Sequence, residues 1–125
     1  MTQEDGKILK ERLDGFHIEQ MSKFFAAREK HKDSDVCDNQ TDWSKFTLWE
    51  VWNHLLEEIV EVSNLLYNQS RKPKEIEAID LKELRKECVD TANMAFILAE
   101  VAKELQIKRI IASLPDDFDI DPLRR

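Results

Sequence analysis

Glycine and proline are scarce in this chain, with two glycines and three prolines among 125 residues. A turn-rich β protein needs more of both, because these residues supply the backbone conformations of tight turns. The many leucine, glutamate, lysine and arginine residues favour helix instead. The sequence therefore predicts an all-α protein, and its length is that of one domain.

Long apolar runs are also missing. No stretch approaches the ~18 uninterrupted apolar residues of a membrane span, and the polar N-terminus has no signal-peptide pattern. The two cysteines, Cys37 and Cys88, are too far apart for a Cys-x-x-Cys motif. Two free thiols in a reducing cytosol is the default interpretation, and one disulfide is the alternative. We therefore predict a cytoplasmic protein that does not bind membranes.

The charge balance is acidic, with 26 acidic and 19 basic residues and a net charge of -7. An acidic surface repels phosphate backbones, so long nucleic acids are poor candidate partners. A polyphosphate can still bind such a protein where a metal ion neutralises the contact. Small phosphate compounds therefore remain candidate ligands.

One helical domain over residues 1–125 is the simplest organisation, with residues 1–14 and 116–125 predicted as loose tails. Thr47, followed three positions later by Glu50, forms a capping box that starts the second helix. The first helix is predicted from Phe16 to about Lys32, and the second from Thr47 to about Leu66. The third is predicted to start between Pro73 and Asp80 and to end near Leu105. A short fourth helix is predicted from Ile107 to Leu114.

The third helix is predicted to be covered on most sides, because it is apolar nearly all round after Asp90. Glu87 and Asp90 lie in line with Met94, Leu98 and Val101, so these two acids face surface that must be covered. The main apolar face is predicted to comprise Leu81, Leu84, Cys88, Ala92, Ala95, Ala99 and Ala102.

Two pairs of carboxylates stand out against this pattern. Glu58 and Glu61 flank the apolar face of the second helix, and Glu87 and Asp90 repeat the same i, i+3 spacing on the third. If the two helices pack as antiparallel neighbours, the four acids face one another and raise each other's pKa. A hard divalent cation (magnesium, manganese or calcium) relieves this repulsion. Taken singly, each pair is explained more simply as a solvated helix face.

These residues resemble a family signature. Glu57-Glu58-Ile59-Val60-Glu61, followed after 25 residues by Glu87-Cys88-Val89-Asp90, is similar to the Glu-Glu-x-x-Glu…Glu-x-x-Asp motif of MazG-like nucleotide pyrophosphohydrolases. That all-α superfamily includes dimeric dUTPases and phosphoribosyl-ATP pyrophosphatases. The segments WNHLLEEIVEVSNLL and LRKECVDTANMAFILAE resemble its two motif helices, and the resemblance covers roughly residues 16–105.

The resemblance implies a bundle of three to five helices that binds Mg²⁺, or Mn²⁺ in its place, through Glu58, Glu61, Glu87 and Asp90. It implies hydrolysis of a nucleoside triphosphate to the monophosphate and pyrophosphate, by attack of a metal-activated water on the α–β linkage. Glu57 and Glu58 are then the candidate catalytic carboxylates. Glu57 would be a base or a further ligand, or else a surface glutamate, since its angle points away from the other acids.

Three residues are candidates for substrate binding. Asn93, three positions after Asp90, can reach a sugar or base, Trp43 can stack on a base, and His54 shares the flank of Glu58. A satisfied polar residue, a core tryptophan and a packing histidine are the plainer interpretations. The sequence does not single out the residues that bind phosphate, for which the candidates are Arg85, Lys86, Lys103, Lys108 and Arg109.

Self-association is also predicted, because so few helices cannot cover the third one. A homodimer that completes a four-helix core, or a homotetramer, would bury the apolar surface around Phe96, Ile97, Val101 and Leu105. The alternative function is a non-catalytic nucleotide-sensing or partner-binding module that keeps the carboxylates. A di-iron bundle is disfavoured, because such sites use Glu-x-x-His on two helices and the third helix has no histidine.

Overall fold

The computed structural model describes residues 1–30 and 46–116, apart from the side chains of Arg28 and Lys30. It contains three α-helices: α1 (Gln3–Lys30), α2 (Leu48–Leu66) and α3 (Leu81–Ala112). A short 3₁₀ turn, Ile76–Ala78, precedes α3. Within the described ranges no strand occurs, apart from one isolated bridge between Tyr67 and Pro73. The all-α prediction is confirmed.

The predicted start of the first helix at Phe16 is wrong, and so is the prediction of a loose tail over residues 1–14, because α1 begins at Gln3. Thr2 and Asp5 cap this end reciprocally: each backbone N–H donates to the other's side-chain oxygen at 3.1 Å. An ion pair between Lys10 and Asp14 (2.7 Å) spans the next turns. Local hydrogen bonds and ion pairs therefore stabilise the helical conformation of the first half of α1, although its side chains are almost all exposed.

The predicted capping box of α2 is confirmed. The backbone N–H of Glu50 donates to Thr47 Oγ1 (3.1 Å), and the Thr47 hydroxyl donates to Glu50 Oε1 (3.2 Å). Beyond the cap, Val51 and Leu55 are buried. Trp52 and Ile59, which follow Val51 and Leu55 at helical spacing, are exposed.

Removing this cap tests how far α2 depends on it. Thr47→Ala is expected to lower the free energy of unfolding by about 1 kcal/mol, because a free N–H of the first turn loses its acceptor. Thr47→Ser keeps the hydroxyl and should retain most of the stability. Denaturant unfolding of both variants measures the difference, and equal stability of the two would contradict the role of the hydroxyl.

The connection from α2 to α3 is a compact turn built on Asn68. Its side-chain oxygen accepts from the backbone N–H groups of Ser70 (3.2 Å) and Lys72 (3.1 Å). Arg71 takes a left-handed conformation, with φ at 64°. The turn sends the chain back along α2, so that later residues of α2 meet earlier residues of α3.

α3 is one continuous helix, and the separate fourth helix predicted from Ile107 to Leu114 is wrong. No glycine or proline lies between Leu105 and Ile107, so nothing in the backbone breaks the helix there. Its N-cap is Asp80, whose carboxylate accepts from the backbone N–H of Glu83 at 3.0 Å. Residues 33–44, between the first two predicted helices, lie outside the described residues, as does all of the predicted C-terminal tail except Asp116.

The core lies between α2 and α3, and its members are aliphatic or sulfur-containing. Five buried side chains form it: Val51, Leu55, Met94, Ile97 and Val101. Phe24 of α1, which is partly buried, packs against this cluster. None of the described helices is long and apolar enough to cross a lipid bilayer.

Two predictions about α3 are therefore wrong. Ile97 and Val101, expected on a surface for self-association, belong to the core of the single chain. The predicted main apolar face lies outside, with Leu81, Cys88, Ala95, Ala99 and Ala102 exposed. Burying the larger Met94, Ile97 and Val101 removes more apolar area from water than burying alanines does, which explains the choice of face.

Candidate metal centre

Three of the predicted carboxylates come together where α2 crosses α3. Glu58 and Glu61 lie one helical turn apart on α2, and Glu87 faces them from α3. One oxygen from each of the three lies within 4.8 Å of the other two. The predicted convergence of acids from two helices is thus present for these three residues, which we call the carboxylate cluster.

The cluster is partly withdrawn from water. Glu87 is only 9% exposed, Glu58 is half-buried and Glu61 is exposed. Glu58 Oε2 and Glu87 Oε2 are buried and accept no hydrogen bond from the described residues. Leaving such acceptors unsatisfied is unfavourable, so both atoms are suited to a ligand that the protein itself does not supply.

Burial and mutual repulsion both favour the protonated carboxyls. Burial raises the pKa of Glu58 to about 7, with a further contribution from the charges of Glu61 and Asp90. The pKa of Glu87 is raised to about 8, and burial is again the largest cause. The hydrogen bond to Glu61 and the charges of Glu61 and Asp90 raise it further. Near neutral pH, the empty cluster therefore holds protons that a cation would displace.

Asp90, the fourth predicted ligand, lies at the edge of the cluster. It lies one helical turn after Glu87 on α3, and its charge raises the pKa of Glu58 and of Glu87. Its Oδ1 atom, however, pairs with Lys23 Nζ of α1 at 3.2 Å. The ammonium group of Lys23 therefore neutralises Asp90, as a bound metal cation would. The sequence pattern did not indicate Lys23, because no local spacing links it to the acids.

Breaking this ion pair should change the affinity for a divalent cation. Lys23→Gln removes a positive charge next to the cluster and frees Asp90, so Mn²⁺ should bind roughly three- to tenfold more tightly. Lys10→Gln is the matched control, since it breaks another α1 ion pair outside the cluster. Calorimetric titration of Mn²⁺ in the absence of nucleotide measures both. Unchanged affinity in Lys23→Gln would show that Lys23 does not compete with the metal.

Glu57 and His54 are both exposed and lie next to each other on α2. The Glu57 side chain is 73% exposed, and its Oε2 atom is 3.8 Å from His54 Nδ1 on the outer side of α2. Glu57, predicted as a catalytic base or further ligand, is therefore not brought to the other acids within one chain. His54, predicted on the flank of Glu58, lies one helical turn before it, with its Nδ1 atom directed at this Glu57 oxygen.

Asn93 lies one turn beyond Asp90 and is only 6% exposed. Its Nδ2 atom donates to the backbone oxygen of Gln20 at 3.4 Å, while its Oδ1 atom is buried without a partner among the described residues. The predicted polar residue in the bundle is thus only partly satisfied. Trp43, predicted to stack on a base, lies outside the described residues.

The residues present fit a divalent cation. Carboxylate oxygens are the ligands that magnesium and manganese prefer, and two of the cluster's oxygens have no hydrogen-bond partner in residues 1–30 and 46–116. Comparison with known proteins adds no relative, because no family model, curated protein or solved structure matches the chain. The chemistry of the site is therefore argued from its own geometry.

Proposed function

We propose that this chain is a magnesium-dependent nucleotide pyrophosphohydrolase, which converts a nucleoside triphosphate and water to the monophosphate and pyrophosphate. One observation carries the proposal: three carboxylates from two helices converge around two buried oxygens that have no partner among the residues that the structure describes. A site of this kind is unfavourable when it is empty and suits a hard cation. The resemblance to MazG-like enzymes supplies the reaction.

Glu58, Glu61 and Glu87 would hold Mg²⁺, or Mn²⁺ in its place, and Asp90 would join them once released by Lys23. The bound ion supplies charge screening of the triphosphate, a more acidic water and stabilisation of the leaving group. We assign Glu58 to the cation rather than to proton transfer, because a bound cation favours the ionised form of its ligands. Glu57 has no role in this proposal, since its carboxylate is exposed on the outer side of α2.

The test is release of pyrophosphate from a panel of canonical and modified nucleoside triphosphates, with magnesium and with a chelator. We expect release from at least one of them, and none with the chelator. Binding of nucleotide without release would favour the alternative, a non-catalytic nucleotide-sensing module. Absence of both binding and release across the panel would refute the proposal.

We also propose that the chain forms a homodimer or homotetramer. Support comes from large apolar side chains of α2 that are exposed in the single chain, namely Trp49 at 75%, Trp52, Leu56, Ile59 and Val60. Exposed alanines of α3 leave room for such side chains from a second copy. Light scattering coupled to size exclusion measures the mass, and a monomer at micromolar concentration would contradict the proposal.

A further inference from the structure

An open groove of about 670 Å³ lies between α1 and the first turns of α3. Its volume is in the range of small-molecule sites. The groove adjoins the carboxylate cluster through two of its lining residues. Lys23 pairs with Asp90, and Glu83 shares a hydrogen bond with Glu87. A ligand in the groove would therefore continue directly into the cluster.

The charges along this groove are unevenly matched. Arg85 is held by Glu19 at 2.7 Å, and the carboxylate of Asp80 caps α3. Lys82 and Lys86 lie one turn apart on α3 and also line the groove. Neither has an ion-pair or hydrogen-bond partner among the described residues. Glu83 also lines the groove, but its carboxylate is hydrogen-bonded to Glu87, so these two ammonium groups remain available to contact an anion.

The other side of the cluster has a different chemistry. One turn beyond Asp90, Asn93 presents a buried carbonyl oxygen without a partner in the described part of the chain. Phe24 and Phe96 form an edge-to-face pair there, with ring centroids 6.2 Å apart. Along α3 the order is thus lysines, carboxylates, then an amide and aromatic rings. This order has the same polarity as a nucleotide, with phosphates at one end and a base at the other.

We propose that Lys82 and Lys86 bind the β and γ phosphates of the substrate, which leave as pyrophosphate, while the nucleoside points toward Asn93. The proposal rests on the proposed function, because hydrolysis between the α and β phosphates places that linkage at the carboxylate cluster. The remaining two phosphates then extend to one side of it. The groove lies on that side, and its lining includes Lys82 and Lys86, which have no partner in the described part of the chain.

The test is calorimetric binding of inorganic pyrophosphate with magnesium to Lys82→Gln/Lys86→Gln. Its matched control is Lys103→Gln/Lys108→Gln, which removes the same charge. These two lysines were phosphate-binding candidates in the sequence, but they lie at exposed positions of α3 roughly 25 Å or more beyond Lys86, outside the groove. We expect the first variant to bind pyrophosphate at least about tenfold more weakly, and the control to change less than about twofold. The affinity for a nucleoside monophosphate should change less than about threefold in both.

The outcomes separate this proposal from the proposed function. Normal turnover and unchanged pyrophosphate affinity in Lys82→Gln/Lys86→Gln would overturn the groove assignment and leave the enzyme intact. Lysine-dependent pyrophosphate binding without any turnover would uphold the groove and refute the hydrolase. An equal loss of monophosphate affinity would overturn the placing of the leaving group. No measurable pyrophosphate binding by the unaltered chain would also overturn it.

Discussion

Glu61→Gln is expected to reduce magnesium-dependent pyrophosphate release at least about 100-fold, while leaving the fold intact. Glu61 supplies one of the three converging oxygens, and loss even of a group behind a metal ligand commonly lowers activity 10- to 100-fold. Glutamine has the same shape but no negative charge. Glutamine therefore binds the cation more weakly and lowers the reaction rate, while the packing of the protein stays the same.

This substitution should raise the stability of the metal-free protein. The charge of Glu61 is one reason why the pKa values of Glu58 and Glu87 are raised, so removing it relieves repulsion in the empty cluster. Glu61 is also exposed, and its loss leaves no cavity. A variant that is less active but at least as stable cannot owe its defect to misfolding.

The control for this prediction is Glu77→Gln, an exposed glutamate of the 3₁₀ turn before α3. It removes the same charge outside the cluster and should keep its activity within about twofold of the unaltered protein. Initial rates and thermal unfolding are measured on both variants. A Glu61→Gln rate within about threefold of the unaltered rate would remove Glu61 from the metal site.

The sequence predicted those parts of the fold that depend on local signals. The Thr47 and Glu50 capping box is a four-residue pattern, and it starts α2 where expected. The first half of α1 was missed, although its Thr2–Asp5 cap has the same four-residue spacing. Its few apolar side chains, such as Leu9 and Leu13, are exposed and form no buried face. Such a helix depends on caps and ion pairs, which the search for an apolar face does not detect.

The candidate site could be predicted only in part, for a related reason. The i, i+3 pairs on two helices identified Glu58, Glu61 and Glu87, because helix geometry fixes which side chains share a face. The ion pair of Lys23 with Asp90 joins α1 to α3, and its partners are far apart in the sequence. Their meeting depends on how α1 packs, which no single-helix pattern contains.

The choice of buried face on α3 shows the same limit. Counting apolar residues favoured the stripe of small side chains that includes Ala95 and Ala99, which the structure leaves exposed. Met94 and Ile97 are buried instead, against Val51 and Leu55 of α2. The orientation of α3 depends on how much apolar area each residue buries and on which helix covers it. The sequence of one helix gives neither.

Metal-free protein is expected to lose stability as the pH rises from about 5 to 9. Glu58 and Glu87 have folded-state pKa values of about 7 and 8, above the ordinary value of 4.5. The folded protein binds these protons more tightly than the unfolded chain does. Their contribution to the free energy of unfolding is therefore complete below the ordinary pKa of 4.5. It is lost as the pH rises through 7 and 8. The melting temperature should fall by several degrees over this window.

Magnesium should oppose this fall, and most strongly at high pH. Protons and the cation compete for the same oxygens, so the rise in melting temperature on adding Mg²⁺ should be small at pH 5 and largest near pH 8.5. At 100 times the dissociation constant, a ligand of the folded state adds about 2.7 kcal/mol, or about 10 °C in a chain of this size.

Glu87→Gln provides the decisive comparison for this pH dependence, since glutamine mimics the protonated carboxyl at every pH. This variant should lose part of the decline with pH and most of the stabilisation by Mg²⁺. Lys103→Gln, a charge change at an exposed position of α3 outside the site, should follow the unaltered protein in both respects. If metal-free protein became more stable between pH 6 and 9, or if the effect of Mg²⁺ were the same at every pH, then burial and repulsion would not govern the cluster. The carboxylates would then be an ordinary solvated acidic face, and neither the cation nor the reaction assigned to them would have a physical basis.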